Sequence, residues 1–288
     1  MGLFERGLAP SVSMSDLLAG SPQISGTTDI TLHAYAAHIT SGGFPGIRAA
    51  DPQVREDLLE TYTRNIVERD LREADVVVRA PQTLRRWLAA YAAASSTTTA
   101  YNRLLSAAVG PEGEQPAKTT TIAYREHLER IYVLDPVPAW SPSLNPFAAL
   151  QVGPKHQLVD PAIAARLLGI TEGSLTTERG RHMLGPLFES LATLTVRVAA
   201  ESARARVGHL RTRDGRHEVD LIVEGRDGQI VGIEVKLSRE VRDDDVRHLV
   251  WLREQCADVV DLVVLTTGPR AYRRMDGVAV VPLALLGA

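Results

Sequence analysis

The run Gln229-Ile230-Val231-Gly232-Ile233-Glu234-Val235-Lys236-Leu237 decides how the last third of the chain folds. It is rich in β-branched residues and is ended by Ser238-Arg239, the pattern of a buried strand. Side chains alternate along a strand, so Ile233, Val235 and Leu237 take one face while Glu234 and Lys236 share the other. Two charges leaving an apolar strand on the same side are costly unless they are paired or bound to an ion. A second acidic run, Glu218-Val219-Asp220, lies one hairpin upstream, and Leu187-Phe188-Glu189-Ser190 lies on the helix before that.

Working outward, a helix is expected over 179–199. Strands are expected at 207–213, 217–223 and 229–237, then a helix at 242–255 and strands at 261–266 and 278–282. Asp214-Gly215 and Asp227-Gly228 mark two hairpin turns. The order αβββαβ calls for a mixed sheet flanked by helices. It is also the core order of the restriction-endonuclease-like, PD-(D/E)xK fold.

The charged residues suit phosphodiester chemistry. Magnesium prefers carboxylate oxygens and water, with one or two carboxylates from the protein. Asp220 and Glu234 are the expected metal ligands, on adjacent antiparallel strands. Lys236 is placed to stabilise charge on a phosphate or to help activate water, and Glu189 is the expected third acid. The plainer reading is a buried Glu234–Lys236 pair with Asp220 capping a turn. Asp243-Asp244-Asp245 reads as helix capping, and no pair of histidines has zinc-ligand spacing.

Before residue 171 the rhythm is helical. Residues 1–30 are Ser/Gly/Pro-rich and read as a linker-like segment, 31–170 as a helical domain, and 171–288 as the nuclease-like domain. Within the middle, helices are expected at 84–94, 101–109 and 118–130, followed by an extended pair, which is the layout of a winged helix. Its third helix would present Lys118, Thr119, Thr120, Thr121, Tyr124 and Arg125 to DNA; packing between domains is the alternative use of that helix. The fold class expected overall is α+β.

Composition limits the classes. The 288 residues suffice for two cores, and a net charge of −3 confines any DNA contact to a local patch. No apolar run reaches the roughly 18 residues of a membrane span, and a single cysteine, Cys256, excludes an internal disulfide. Cytoplasmic residence is the expectation. Only Lys118, Lys155 and Lys236 represent lysine among 32 basic residues, which draws notice to sites wanting a compact ammonium. Lys118-Thr119 lacks the glycines of a phosphate-binding loop, so no ATP site is expected.

Several stretches together resemble a known family. They are Gly42-Gly43-Phe44-Pro45, the region 62–70, Pro154-Lys155 with Asp160, Leu187-Phe188-Glu189, Glu218-Val219-Asp220-Leu221 and Ile233-Glu234-Val235-Lys236. The chain is similar to the C-terminal region of prokaryotic AAA-type ATPases, whose last domain is restriction-endonuclease-like and long called a domain of unknown function. The resemblance implies a winged-helix middle and a nuclease-like end with Glu189, Asp220, Glu234 and Lys236 at the site. Relatives carry an N-terminal ATPase with a Walker A loop; this chain has none and is expected to be a truncated or split member. The expected function is therefore that of a DNA-associated, magnesium-dependent deoxyribonuclease-like protein. The alternatives are a non-catalytic module binding DNA or protein, self-association included, and a subunit serving a separately encoded ATPase.

Overall fold

The computed structural model describes residues 1–20, 22–70, 81–109, 118–142 and 151–288, with the side chains of 69–70 and 118–120 excepted. The chain divides into two compact units. The first comprises Met1–Tyr35, Val137–Pro154 and Leu191–Ala288; the second comprises Ala36–Pro136 and Lys155–Ser190.

A seven-stranded mixed sheet forms the first unit. Its strands are β2 (Gly26–Thr27), β3 (Arg206–Arg211), β4 (Glu218–Glu224), β5 (Ile230–Val235), β6 (Val259–Thr266), β7 (Arg270–Arg273) and β8 (Ala279–Pro282). They are ordered β2-β7-β8-β6-β5-β4-β3. β5 is parallel to β6, and β6 to β8; the other neighbours run antiparallel. The β3–β4 and β4–β5 turns use Asp-Gly pairs, and Gly215 and Gly228 take positive φ as such turns demand.

Central β5 is buried along its whole length. The parallel β5–β6 step needs a crossover, supplied by the helix Asp243–Gln255. Val246, Leu249 and Leu252 recur on one side of that helix. They close over Leu210, Val219, Ile222, Ile230, Leu262 and Val264 to form an apolar layer. The αβββαβ series is thus present, with a further strand, β7, inserted before β8.

The N-terminal residues, linker-like in composition, supply elements of this unit. β1 (Val12–Ser13) pairs in parallel with β9 (Leu286–Gly287), and β2 pairs with β7 at the sheet edge. Ser13 caps the short helix Met14–Ala19 through Oγ, whose Leu17 is fully buried. Such short strands carry little pattern of their own; their partners, distant in sequence, define them.

The second unit is helical. Pro52–Asn65, Pro81–Ala93, Tyr101–Ala108, Lys118–Arg130 and Pro161–Leu167 are its main helices. Leu84, Trp87, Leu88 and Tyr91, on one face of Pro81–Ala93, are buried. Asp160 organises one end: Oδ1 accepts from Ala162 N–H at 2.8 Å and caps Pro161–Leu167, while Oδ2 accepts from Gly43 N–H at 2.7 Å. Phe44 packs on Tyr62 at 5.2 Å. After Lys118–Arg130, where the sequence pattern calls for an extended pair, the described residues form an isolated antiparallel bridge, Leu134–Leu158.

Candidate functional site

The β3–β4 register shifts at the acidic run. Gly208 faces Ile222 and Leu210 faces Val219, so one β3 residue, His209, stands opposite two on β4, Asp220 and Leu221. That is a β-bulge, a device that re-aims a side chain and recurs beside functional sites. On the other side, Leu221 faces Ile233, which brings Asp220 alongside Glu234 on antiparallel neighbours. Asp220 Oδ2 accepts from the backbone N–H of Val235 at 2.9 Å.

Glu234 is buried, its side chain 4% exposed, whereas Lys236 is 30% exposed. Lys236 Nζ donates to Glu234 Oε2 at 2.7 Å. Burial, the largest single influence, works against the Lys236 ammonium, but Glu234 at its side, Asp220 and Asp245 together outweigh it. The net result is a pKa above its ordinary value. The first unit therefore gathers Asp220, Glu234 and Lys236 at one place.

Glu189 belongs to the second unit, where Lys155 Nζ donates to its Oε1 at 2.8 Å. Lys155 is almost fully buried, so Glu189 has a local role in balancing that charge. Of the residues expected to face DNA, Tyr124 is buried, and Arg125 lies 4.7 Å over the Tyr101 ring and 3.6 Å from Glu129 Oε1. Thr121 is half-buried. The side chains of Lys118, Thr119 and Thr120 lie outside the described residues.

Several neighbours are not evident from sequence. Asp245 caps its helix, in keeping with the acidic run there, accepting from Arg242 N–H at 2.8 Å, but it also acts on Lys236. His217 stacks on Trp251 at 4.0 Å and meets His248 edge-on. Burial, then Arg247, holds the His248 imidazole below its usual pKa, and His217 and Lys236 push the same way. One signal is readable: His217 directly precedes the acidic strand, and His248 and Trp251 are three apart on one helix face.

The donor set suits a hard divalent cation of the two-carboxylate type. Asp220 and Glu234 would hold it, each with one oxygen already hydrogen-bonded to the protein. Among the described residues, no group of three or more His, Cys, Asp or Glu side chains is arranged around a metal position.

Two family models match the sequence, each over part of it. The C-terminal piece is similar to a domain found in the C-terminal region of AAA-ATPase-like proteins. Specifically, residues 184–286 match the family model of DUF4143, a domain of unknown function, and residues 32–174 match that of DUF8612, another domain of unknown function. No curated protein matches. A solved structure, protein VC1899 from Vibrio cholerae, is similar at 13% identity over 88% of this chain, with a TM-score of 0.28; the chain spans 58% of its length. Among the described residues no helix is long and apolar enough to cross a membrane.

Proposed function

We propose that the C-terminal domain hydrolyses phosphodiester bonds of DNA with the help of a divalent cation, in a restriction-endonuclease-like arrangement. The observation that carries this reading is the β4–β5 register, which sets Asp220 alongside Glu234, with the Lys236 ammonium on the Glu234 carboxylate. Bound there, magnesium would lower the pKa of a water and neutralise phosphate charge. Asp220 and Glu234 would hold the ion. Lys236, more exposed than the Glu234 it pairs with, would leave that carboxylate for a phosphate oxygen and stabilise the charge that builds on it. Glu234 itself is buried, which strengthens its contact with the ammonium.

The helical unit would act as a winged helix that positions the duplex. Tyr124 packs inward and Arg125 is engaged by Tyr101 and Glu129, so the first turn of Lys118–Arg130 is the part proposed to meet phosphate, where backbone N–H groups point outward.

A second reading is favoured by one contact. The 2.7 Å Glu234–Lys236 pair, with Val235 N–H on Asp220, is also a self-sufficient clamp on the end of β5. The domain would then be a non-catalytic module, or a subunit serving a separate ATPase. Magnesium calorimetry with a plasmid-nicking assay separates the two. The nuclease reading expects magnesium binding that is lost in Asp220→Ala and nicking that is slowed in Lys236→Ala with metal binding kept. Absence of both binding at millimolar magnesium and nicking by the wild type establishes the clamp.

A further inference from the structure

A cleft of about 730 Å3 opens just past the end of β5. Arg239, Glu240 and Arg242 line it from the segment after β5, Asp245 from the following helix, and Arg270 and Tyr272 from β7. β7 explains part of this composition. Its buried Ala271 alternates with exposed Arg270 and Tyr272, so these two share one face of the strand.

The three arginines differ from their neighbours. Arg273 is held by Asp261 at 2.7 Å, and Arg274 by Asp243 and Asp276. Among the described residues, Arg239, Arg242 and Arg270 pair with no carboxylate. Asp245 also stands in the cleft, its Oδ2 accepting from the Arg242 backbone N–H, so two carboxylates, Glu240 and Asp245, face three guanidinium groups and the lining stays net positive. Guanidinium forks match phosphate oxygens in two-point contacts. Tyr272, 42% exposed beside them, adds a flat apolar ring. A basic groove with an aromatic platform is the chemistry that takes unpaired nucleotides, because a duplex keeps its base faces stacked on one another.

We propose that this cleft binds the backbone of a single nucleic-acid strand, with phosphates on Arg239, Arg242 and Arg270 and a base on Tyr272. The cleft adjoins the candidate site: Lys236 precedes Ser238 of its lining by two residues, and Asp245 faces both. A strand seated here would run on toward Lys236, a statement that rests on the nuclease reading, whereas binding itself does not.

Fluorescence anisotropy with a labelled oligothymidylate in EDTA tests binding apart from chemistry. The wild type is expected to bind with an affinity that falls as salt rises. The triple variant Arg239→Ala, Arg242→Ala, Arg270→Ala should bind more weakly by about tenfold or more. Its slope of log affinity against log salt should shrink by about 2, since each neutralised phosphate contributes roughly 0.7 to that slope. Tyr272→Ala should cost roughly tenfold with the salt slope unchanged. Circular dichroism checks that the variants are folded, and Arg270→Ala alone, expected to cut the slope by about 0.7, serves if the triple variant is not. Unchanged affinity and slope in the arginine variants, or competition by duplex or by thymidine monophosphate equal to that of the oligomer, overturns the proposal. Strand binding that depends on the arginines, without magnesium-dependent cleavage, sinks the nuclease function and leaves the cleft standing; cleavage that survives the triple variant does the reverse.

Discussion

Asp220 on β4 holds the backbone N–H of Val235 on β5, so the amide between Glu234 and Lys236 is fixed by the carboxylate proposed to share a cation with Glu234. Asp220 thereby has a structural duty in addition to any chemical one.

That duty changes what Asp220→Ala should do without metal. Relief of repulsion between two carboxylates favours the variant, but the Val235 N–H loses its acceptor, at a cost of about 1–3 kcal/mol. We expect net destabilisation, read as a lower urea midpoint in EDTA. Asp220→Asn keeps an acceptor oxygen and should lose less than half as much. Equal losses in the two variants would show that the hydrogen bond is not the cause.

Lys236→Met should be costly because it strands the buried Glu234 charge. Breaking a buried pair costs about 3–5 kcal/mol, and the 30% exposure of Lys236 reduces this to about 2–4 kcal/mol. Glu234→Gln combined with Lys236→Met should recover most of the loss, giving a strong coupling in a double-mutant cycle. The pH dependence has a definite sign. Because the folded-state pKa of Lys236 is raised above its ordinary 10.5, its contribution is full below that value and fades as pH climbs past it. Alkaline urea titrations of the wild type and the Lys236→Met variant should converge.

Gly232→Ala tests the packing under the site. A Cβ there would meet Leu252 Cδ2 at 2.8 Å and Leu262 Cδ2 at 3.1 Å. Overpacking of this kind costs about 1–3 kcal/mol. Thermal unfolding should show the loss, and Leu252→Val in the same chain should restore part of it.

His156 is expected to make the protein acid-sensitive. Its Nε2 lies 2.6 Å from Thr99 O, and its ring contacts Tyr91 and Tyr101, each at 4.8 Å. Burial, more than the nearby Arg125, holds its pKa below the ordinary 6.5. The unfolded chain therefore takes up the proton first, and stability falls as pH drops through 6.5 toward the folded value. His156→Gln keeps a donor for Thr99 and should flatten that part of the pH profile. An unaltered profile would assign the acid sensitivity to another group.

What can be read from the sequence follows from how local each signal is. Strands β3, β4 and β5 announce themselves by alternation and by Asp-Gly turns, and Glu234 and Lys236 stand out because charge is rare in so apolar a strand. β7 does not announce itself. Its four residues Arg270-Ala271-Tyr272-Arg273 carry no aliphatic run, although Asp276-Gly277 before β8 is a legible turn, with Gly277 at φ 86°. The bulge at Asp220 has no sequence signature, since it exists only against His209. Glu189 is visible as an unusual charge beside Leu187 and Phe188, but its partner Lys155 lies 34 residues away and only the tertiary structure names it.

The pairing of β1 with β9, and of β2 with β7, bears on how this chain is synthesised and subdivided. Val12 meets Leu286 and Ser13 meets Gly287, so a segment made early on the ribosome waits for one made late before its strand is completed. Contacts that span so much chain fold slowly and leave an edge open meanwhile. A fragment cut at the borders of the DUF4143 match, residues 184–286, would omit β1 and β2 altogether, along with Ala139, which bridges to His209. Its β7 edge would be bare, and bare edges recruit other chains. Aggregation of that fragment during expression would thus reflect the missing Met1–Tyr35 and Val137–Pro154 parts of the same unit.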